Sequence, residues 1–112
     1  METGNLRLYI LRTLLTKEKY DKLKSEIDES IFQNGAREIY KTIGYIYRDN
    51  PNIAQINFSD LKLAYFNTYY PNTSFASQKN IHELIDNIER QEEPSDDVVA
   101  TALKSMYRIK KA

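Results

Sequence analysis

The chain predicts an all-α domain: a small helical bundle of about four helices followed by a C-terminal helical hairpin. Two stretches carry that prediction. In GAREIYKTIGYIYRD, Gly35 to Asp49, apolar residues fall at Ala36, Ile39, Tyr40, Ile43, Ile46 and Tyr47. That i, i+3, i+4, i+7 spacing lines one face of a helix, and the alternation of a half-buried strand is absent. In the last third, two amphipathic segments are separated by the short joint Glu92-Glu93-Pro94, the pattern of an antiparallel helical hairpin. The expected division is a globular bundle over 1–72 and a hairpin over 73–112, together one domain.

Asn5 can cap a first helix, Leu6 to about Leu15, with Leu6, Ile10 and Leu14 in one row and Leu8, Leu11 and Leu15 widening it. Apolar around much of its girth, this helix should be packed on more than one side. Thr16 offers a cap for a second helix, Lys17 to about Ile27, with Tyr20, Leu23 and Ile27 along one face. Asp28, Glu29 and Ser30 break the periodicity. Ile31 and Phe32 are then left as an apolar pair before the turn residues Asn34 and Gly35, and Phe32 is expected to plug the core beside the third helix. That third helix, Gly35 to Asp49, keeps Arg37, Glu38, Lys41 and Arg48 on its hydrated side and serves as the central pillar.

Asn50-Pro51-Asn52 ends the pillar, because proline has no amide hydrogen and disfavours helical geometry in the residue before it. After a loop through Ile56, Ser59 is expected to open a fourth helix, Asp60 to about Tyr69, rich in aromatic residues and closed by Tyr69-Tyr70-Pro71-Asn72. A fifth helix, about Phe75 to Glu92, carries the stripe Ile81, Leu84, Ile85 and Ile88. Ser95 caps the last helix, with Asp96 and Asp97 in its first turn and Arg108, Lys110 and Lys111 near its end, as the helix dipole favours. Its stripe is Val98, Val99, Ala102, Leu103, Met106 and Ile109. The final RIKKA still reads as helix without a capping glycine, the expectation for a chain that continues.

Composition narrows the function. The 112 residues balance 16 lysines and arginines against 16 aspartates and glutamates, so no general attraction to nucleic acid or an anionic membrane is expected. Without cysteine there is no disulfide framework, thiolate site or cysteine nucleophile, and a cytoplasmic location is expected. No apolar run reaches membrane-spanning length, and METGNLRLYI lacks the pattern of a secretory signal. Nine tyrosines, each an apolar ring with a polar tip, suit the edge of a small core and protein interfaces.

Little in the chain points to chemistry. There is no GxxxxGK[ST] loop, and Gly4, Gly35 and Gly44 are too scattered to cradle a nucleotide. The single histidine, His82, has neither cysteine nor HExxH spacing near it and is read as a surface or boundary residue. Glu92, Glu93, Asp96 and Asp97 are accounted for by the helix start, and Lys104, Arg108, Lys110 and Lys111 by the helix end. The expectation is no catalytic residue, no metal and no cofactor in this chain.

Several features together resemble the N-terminal domain of the DnaB-like replicative helicases, most closely the form in tailed phages. They are the row Leu6, Ile10, Leu14, Leu15; the helix with Tyr20, Leu23 and Ile27; Phe32 followed by a small turn and a helix in FQNGAREIYKTI; NFSDLKLAYF; and the final hairpin. The resemblance covers nearly the whole chain through hydrophobic patterns, none of them catalytic. The loop Asn50 to Asn57 and the stretch Tyr69 to Ser77 depart from the family's pattern, and the motor domain does not follow. In that family the domain forms a collar in which hairpins of neighbouring subunits pack and primase docks.

The resemblance therefore implies an oligomerisation and docking module of a replicative DNA helicase in the (host) cytoplasm. It would associate with itself through the hairpin as part of a hexameric ring, meet primase or a helicase loader, and touch DNA at most indirectly. The implied partner-binding positions are Ile81, Leu84, Ile85, Ile88, Val99, Leu103 and Met106, with Val98, Ala102 and Tyr107 on the outer face. A charge at Leu103 or Met106 is then expected to weaken association and leave the first four helices folded. The alternatives are a stand-alone loader or inhibitor using the same hairpin, and a helix-turn-helix DNA-binding regulator. Balanced charge and a Gly35–Asp49 helix whose informative residues lie on an apolar stripe speak against the regulator. A small enzyme comes last.

Overall fold

A computed structural model describes residues 3–91, 97–98, 100–101 and 103–104. Among them the chain is all-α, with five α-helices and no strand: α1 Thr3–Thr13, α2 Lys17–Leu23, α3 Asn34–Asp49, α4 Phe58–Ala64 and α5 Phe75–Arg90. The described residues from 97 to 104 are helical as well. Among the described residues no helix is long and apolar enough to cross a membrane.

α1 begins ahead of the expected Asn5 cap, which lies inside it, and ends in a turn at Leu14 and Leu15. Thr16 precedes α2 as expected, yet its hydroxyl caps nothing. Its backbone is extended and bridged antiparallel to Gln55, with the Lys17 amide donating to the Ala54 carbonyl at 2.9 Å and the Ile56 amide to the Leu15 carbonyl at 2.8 Å. A tertiary contact thus ends α1 and starts α2. After α2 a 3-10 turn, Lys24–Glu26, leads to a second one, Glu29–Ile31, whose start is capped by the Asp28 carboxylate accepting from the Ser30 amide at 2.9 Å.

Phe32 plugs the core as its stranded position predicts. It is fully buried, with its ring 5.1 Å from that of Tyr40 on α3. Arg7 of α1 donates to the Ile31 carbonyl, and Arg37 of α3 to the Phe32 carbonyl at 3.2 Å, so backbone groups that the turn leaves over are satisfied from both neighbouring helices. Asn34 then takes a positive φ of 44°, which asparagine tolerates better than most side chains.

α3 buries Ile39, Thr42, Ile43, Ile46 and Tyr47 and packs against α4 and α5; α5 in turn packs on α1, α3 and α4. Gly35 lies where α3 and α5 approach closely: a Cβ there would lie 2.8 Å from the terminal methyls of both Ile81 and Leu84, which would have to turn aside. Gly44 similarly leaves room for Tyr20, whose hydroxyl would be 3.0 Å from a Cβ at that position. Tyr20 stacks at a tilt on Tyr47, 4.8 Å between centroids, and the buried Tyr47 hydroxyl donates to the Leu14 carbonyl at 2.8 Å. The last turn of α3 is closed by Asn50, whose amide and side chain both donate to the Ile46 carbonyl, at 2.8 and 3.0 Å.

α4 starts earlier than Ser59 suggests. Asn57 is its cap, its side-chain oxygen accepting from the Asp60 amide at 2.7 Å. The helix then widens into a π-turn, Tyr65–Tyr69, closed by the Tyr70 amide donating to the Tyr65 carbonyl at 2.8 Å. α5 is capped by Ser74, which accepts from the Ser77 amide at 3.2 Å, and tied to α4 by Lys62 and Asp86 at 2.9 Å.

Candidate interaction surface

The hairpin positions implied by the resemblance separate by burial. Ile81, Ile85, Ile88 and Leu103 are buried within the chain's own core, and Leu84 is half-buried against it over Gly35. Val98 is 60% exposed. Val99, Ala102, Met106 and Tyr107 lie outside the described residues. With Leu103 only 1% exposed, a charge placed there would strike the core, and an effect on association alone is no longer the expected result. The α3 stripe that a recognition helix would have to present is buried too.

What α5 offers to solvent is a different face. Phe75, Gln78, Lys79, His82 and Glu83 recur at helical spacing and line a shallow groove of about 380 Å³. Phe75 is 87% exposed, well above Leu63 at 61%. His82 is exposed and stacks on Phe66, 4.5 Å between ring centroids. Phe66 meets Tyr65 edge-on at 5.0 Å, and Tyr65 stacks on Tyr70 at 4.7 Å. The π-turn holds this series of rings, which runs from buried Tyr65 out to the exposed histidine. Burial pushes the Tyr65 phenol up to about 12, so it stays neutral. Such π-widened turns are rare in helices and often mark functional places.

A second cluster sits where α3 ends. The Arg48 guanidinium lies 4.9 Å from the Tyr45 ring centroid and forks onto the Asp49 carboxylate at 2.9 and 3.2 Å. The Tyr69 hydroxyl also donates to Asp49, and its ring lies 5.1 Å from Tyr45. The bonds from Arg48 and then Tyr69 hold the Asp49 carboxyl down at about 2. Beside it, Ile46, Ile53, Leu63, Ala64 and Tyr69 line a groove of about 490 Å³.

Both places combine aromatic faces with charged neighbours. Among the described residues no group of three or more histidine, cysteine, aspartate or glutamate side chains could hold a metal ion. The sequence marks His82 as a surface or boundary residue, and it is exposed, but nothing in the local pattern discloses Phe66 beneath it. Helical spacing along α5 could have set Phe75 apart from the stripe of Ile81, Ile85 and Ile88. Compared with family models, with curated proteins and with solved structures, the chain matches none.

Proposed function

We propose that this chain is a non-catalytic assembly and docking domain, of the kind that forms the N-terminal collar of a replicative DNA helicase. Its architecture is then a bundle of four helices followed by a helical hairpin made of α5 and the helix through 97–104. The hairpin reading is supported by the short interval between the end of α5 at Arg90 and the helical residue Asp97, and by the burial of Leu103 in the same core as α5. In this arrangement the inner stripe of the hairpin stabilises the fold, and its outer face meets other molecules.

The observation that carries the reading is Phe75. A phenylalanine 87% exposed, at the head of a helix whose other face is core, contributes nothing to packing within the chain. Exposed aromatic surface of this kind is characteristic of the buried centre of protein interfaces. The partners that follow are a second copy of the chain and a primase or loader, with no cofactor and no catalytic residue supplied by this domain.

Sedimentation velocity over a range of concentrations tests the reading, together with a binding titration against the purified primase of the same replication system. Concentration-dependent self-association or primase binding that Phe75→Glu weakens about tenfold, with unchanged circular dichroism, is the expected result. A chain that stays monomeric throughout and does not bind primase would sink the proposal.

A further inference from the structure

We propose that the groove where the end of α1 meets the segment entering α4 binds a carboxylate, presented by an acidic side chain of a partner protein. The groove has a volume of about 290 Å³, and Arg12 is the single charged residue among those that line it. Arg12 is half-buried, with its guanidinium 5.2 Å from the centroid of the Phe58 ring. Its hydrogen bonding is incomplete. Nη1 donates to the Glu89 carbonyl at 3.3 Å, and Nε is buried with no acceptor. Among the described residues no carboxylate forms an ion pair with it.

A guanidinium keeps its charge at any pH a protein meets, so Arg12 cannot relieve this deficit by losing a proton. Partial burial has removed water from the cation, and a ring face and one long bond to a carbonyl replace little of it. A carboxylate is the group that repairs both shortfalls, because it supplies a negative charge and, once a small rotation of the arginine side chain uncovers Nε, can accept two parallel N–H bonds. The groove's charge also selects the ligand. One cation matches a monovalent carboxylate, whereas a phosphate dianion would leave charge uncompensated. Two polar side chains stand ready beside it: the Thr16 hydroxyl, which does not cap α2, and the exposed Gln55 amide. The inference rests on the docking reading in one respect, that the carboxylate's owner is a protein.

The test follows the Arg12 Nε–H resonance by nitrogen-15 NMR of the whole chain, and in the Arg12 variants, which lack it, the backbone amides of the groove residues Thr16 and Gln55. The probe is the peptide acetyl-Gly-Glu-Gly-Glu-Gly-amide, set against its glutamine counterpart and inorganic phosphate. The expected result is a saturable shift with the acidic peptide. Binding should be weaker by roughly tenfold or more for the glutamine peptide, for phosphate, and for the acidic peptide with Arg12→Gln. If Arg12→Gln does not fold, Arg12→Lys, which keeps the charge and loses the fork, must show the same loss. An absent or non-saturating shift, or an equal response to phosphate or to the glutamine peptide, overturns the proposal. So does movement of the Arg12 resonance on replacing Glu92 and Glu93 by glutamine without peptide, since the chain's own acids would then hold the arginine. Peptide binding with a monomeric chain indifferent to primase would refute the collar and leave this site standing.

Discussion

Tyr47 shows how one side chain joins two helices. Its ring packs on Tyr20 of α2, and its hydroxyl satisfies the Leu14 carbonyl that the end of α1 leaves over. Tyr47→Phe keeps the ring and strands a buried carbonyl, so unfolding free energy should fall by about 1–2 kcal/mol, measurable as a lower urea midpoint with unchanged slope. Burial also raises the Tyr47 phenol above its ordinary value, and a raised pKa stabilises the fold below that value and ceases to do so as pH climbs through the folded one. Asp49 has the opposite sign. Its carboxyl sits at about 2 against an ordinary 3.8, so its contribution is present above the ordinary value and disappears as pH falls through the folded one. A carbon-13 titration of Asp49 should find a midpoint near the depressed value, and Tyr69→Phe should move it upward; an unmoved midpoint would mean that the Tyr69 bond does not form in solution.

Among the elements, α3 was the most legible and α4 the least. The α3 stripe of Ile39, Ile43, Ile46 and Tyr47 is buried as its period requires, because a long amphipathic helix has one way to hide its apolar face. α4 is short, and two competent caps, Asn57 and Ser59, stand two residues apart. Asn57 prevails because the Ile56–Leu15 hydrogen bond fixes the incoming chain just before it, placing the helix start one step later. Asn57→Ala should therefore cost about 1 kcal/mol and Ser59→Ala no more than a few tenths, compared by denaturant midpoints. Equal losses would reverse the assignment. The π-turn after Ala64 has no local signature; it accompanies ring contacts of Tyr69 with Tyr45 of α3 and of Phe66 with His82 of α5.

At the scale of the molecule, α5 closes the core. It lies across α1, α3 and α4, and Leu103 from the helix beyond it joins the same buried cluster. Leu103→Glu should consequently lose roughly 3 kcal/mol or more, seen as a large drop in melting temperature by circular dichroism. An unchanged melt with altered sedimentation would return Leu103 to the interface. The helical class, the stripes of α3 and α5, the plug at Phe32 and the lack of a nucleotide loop are legible along the chain, because each depends on residues a few positions apart. That the α5 stripe packs within this chain, and not against another one, follows from the tertiary contacts alone. The tertiary structure alone also ended α1 on the Gln55 bridge, set His82 on Phe66 and left Arg12 without a carboxylate among the described residues. The bridge and the ring stack join groups far apart in the chain, and spacing along a sequence holds no record of where two helices will cross.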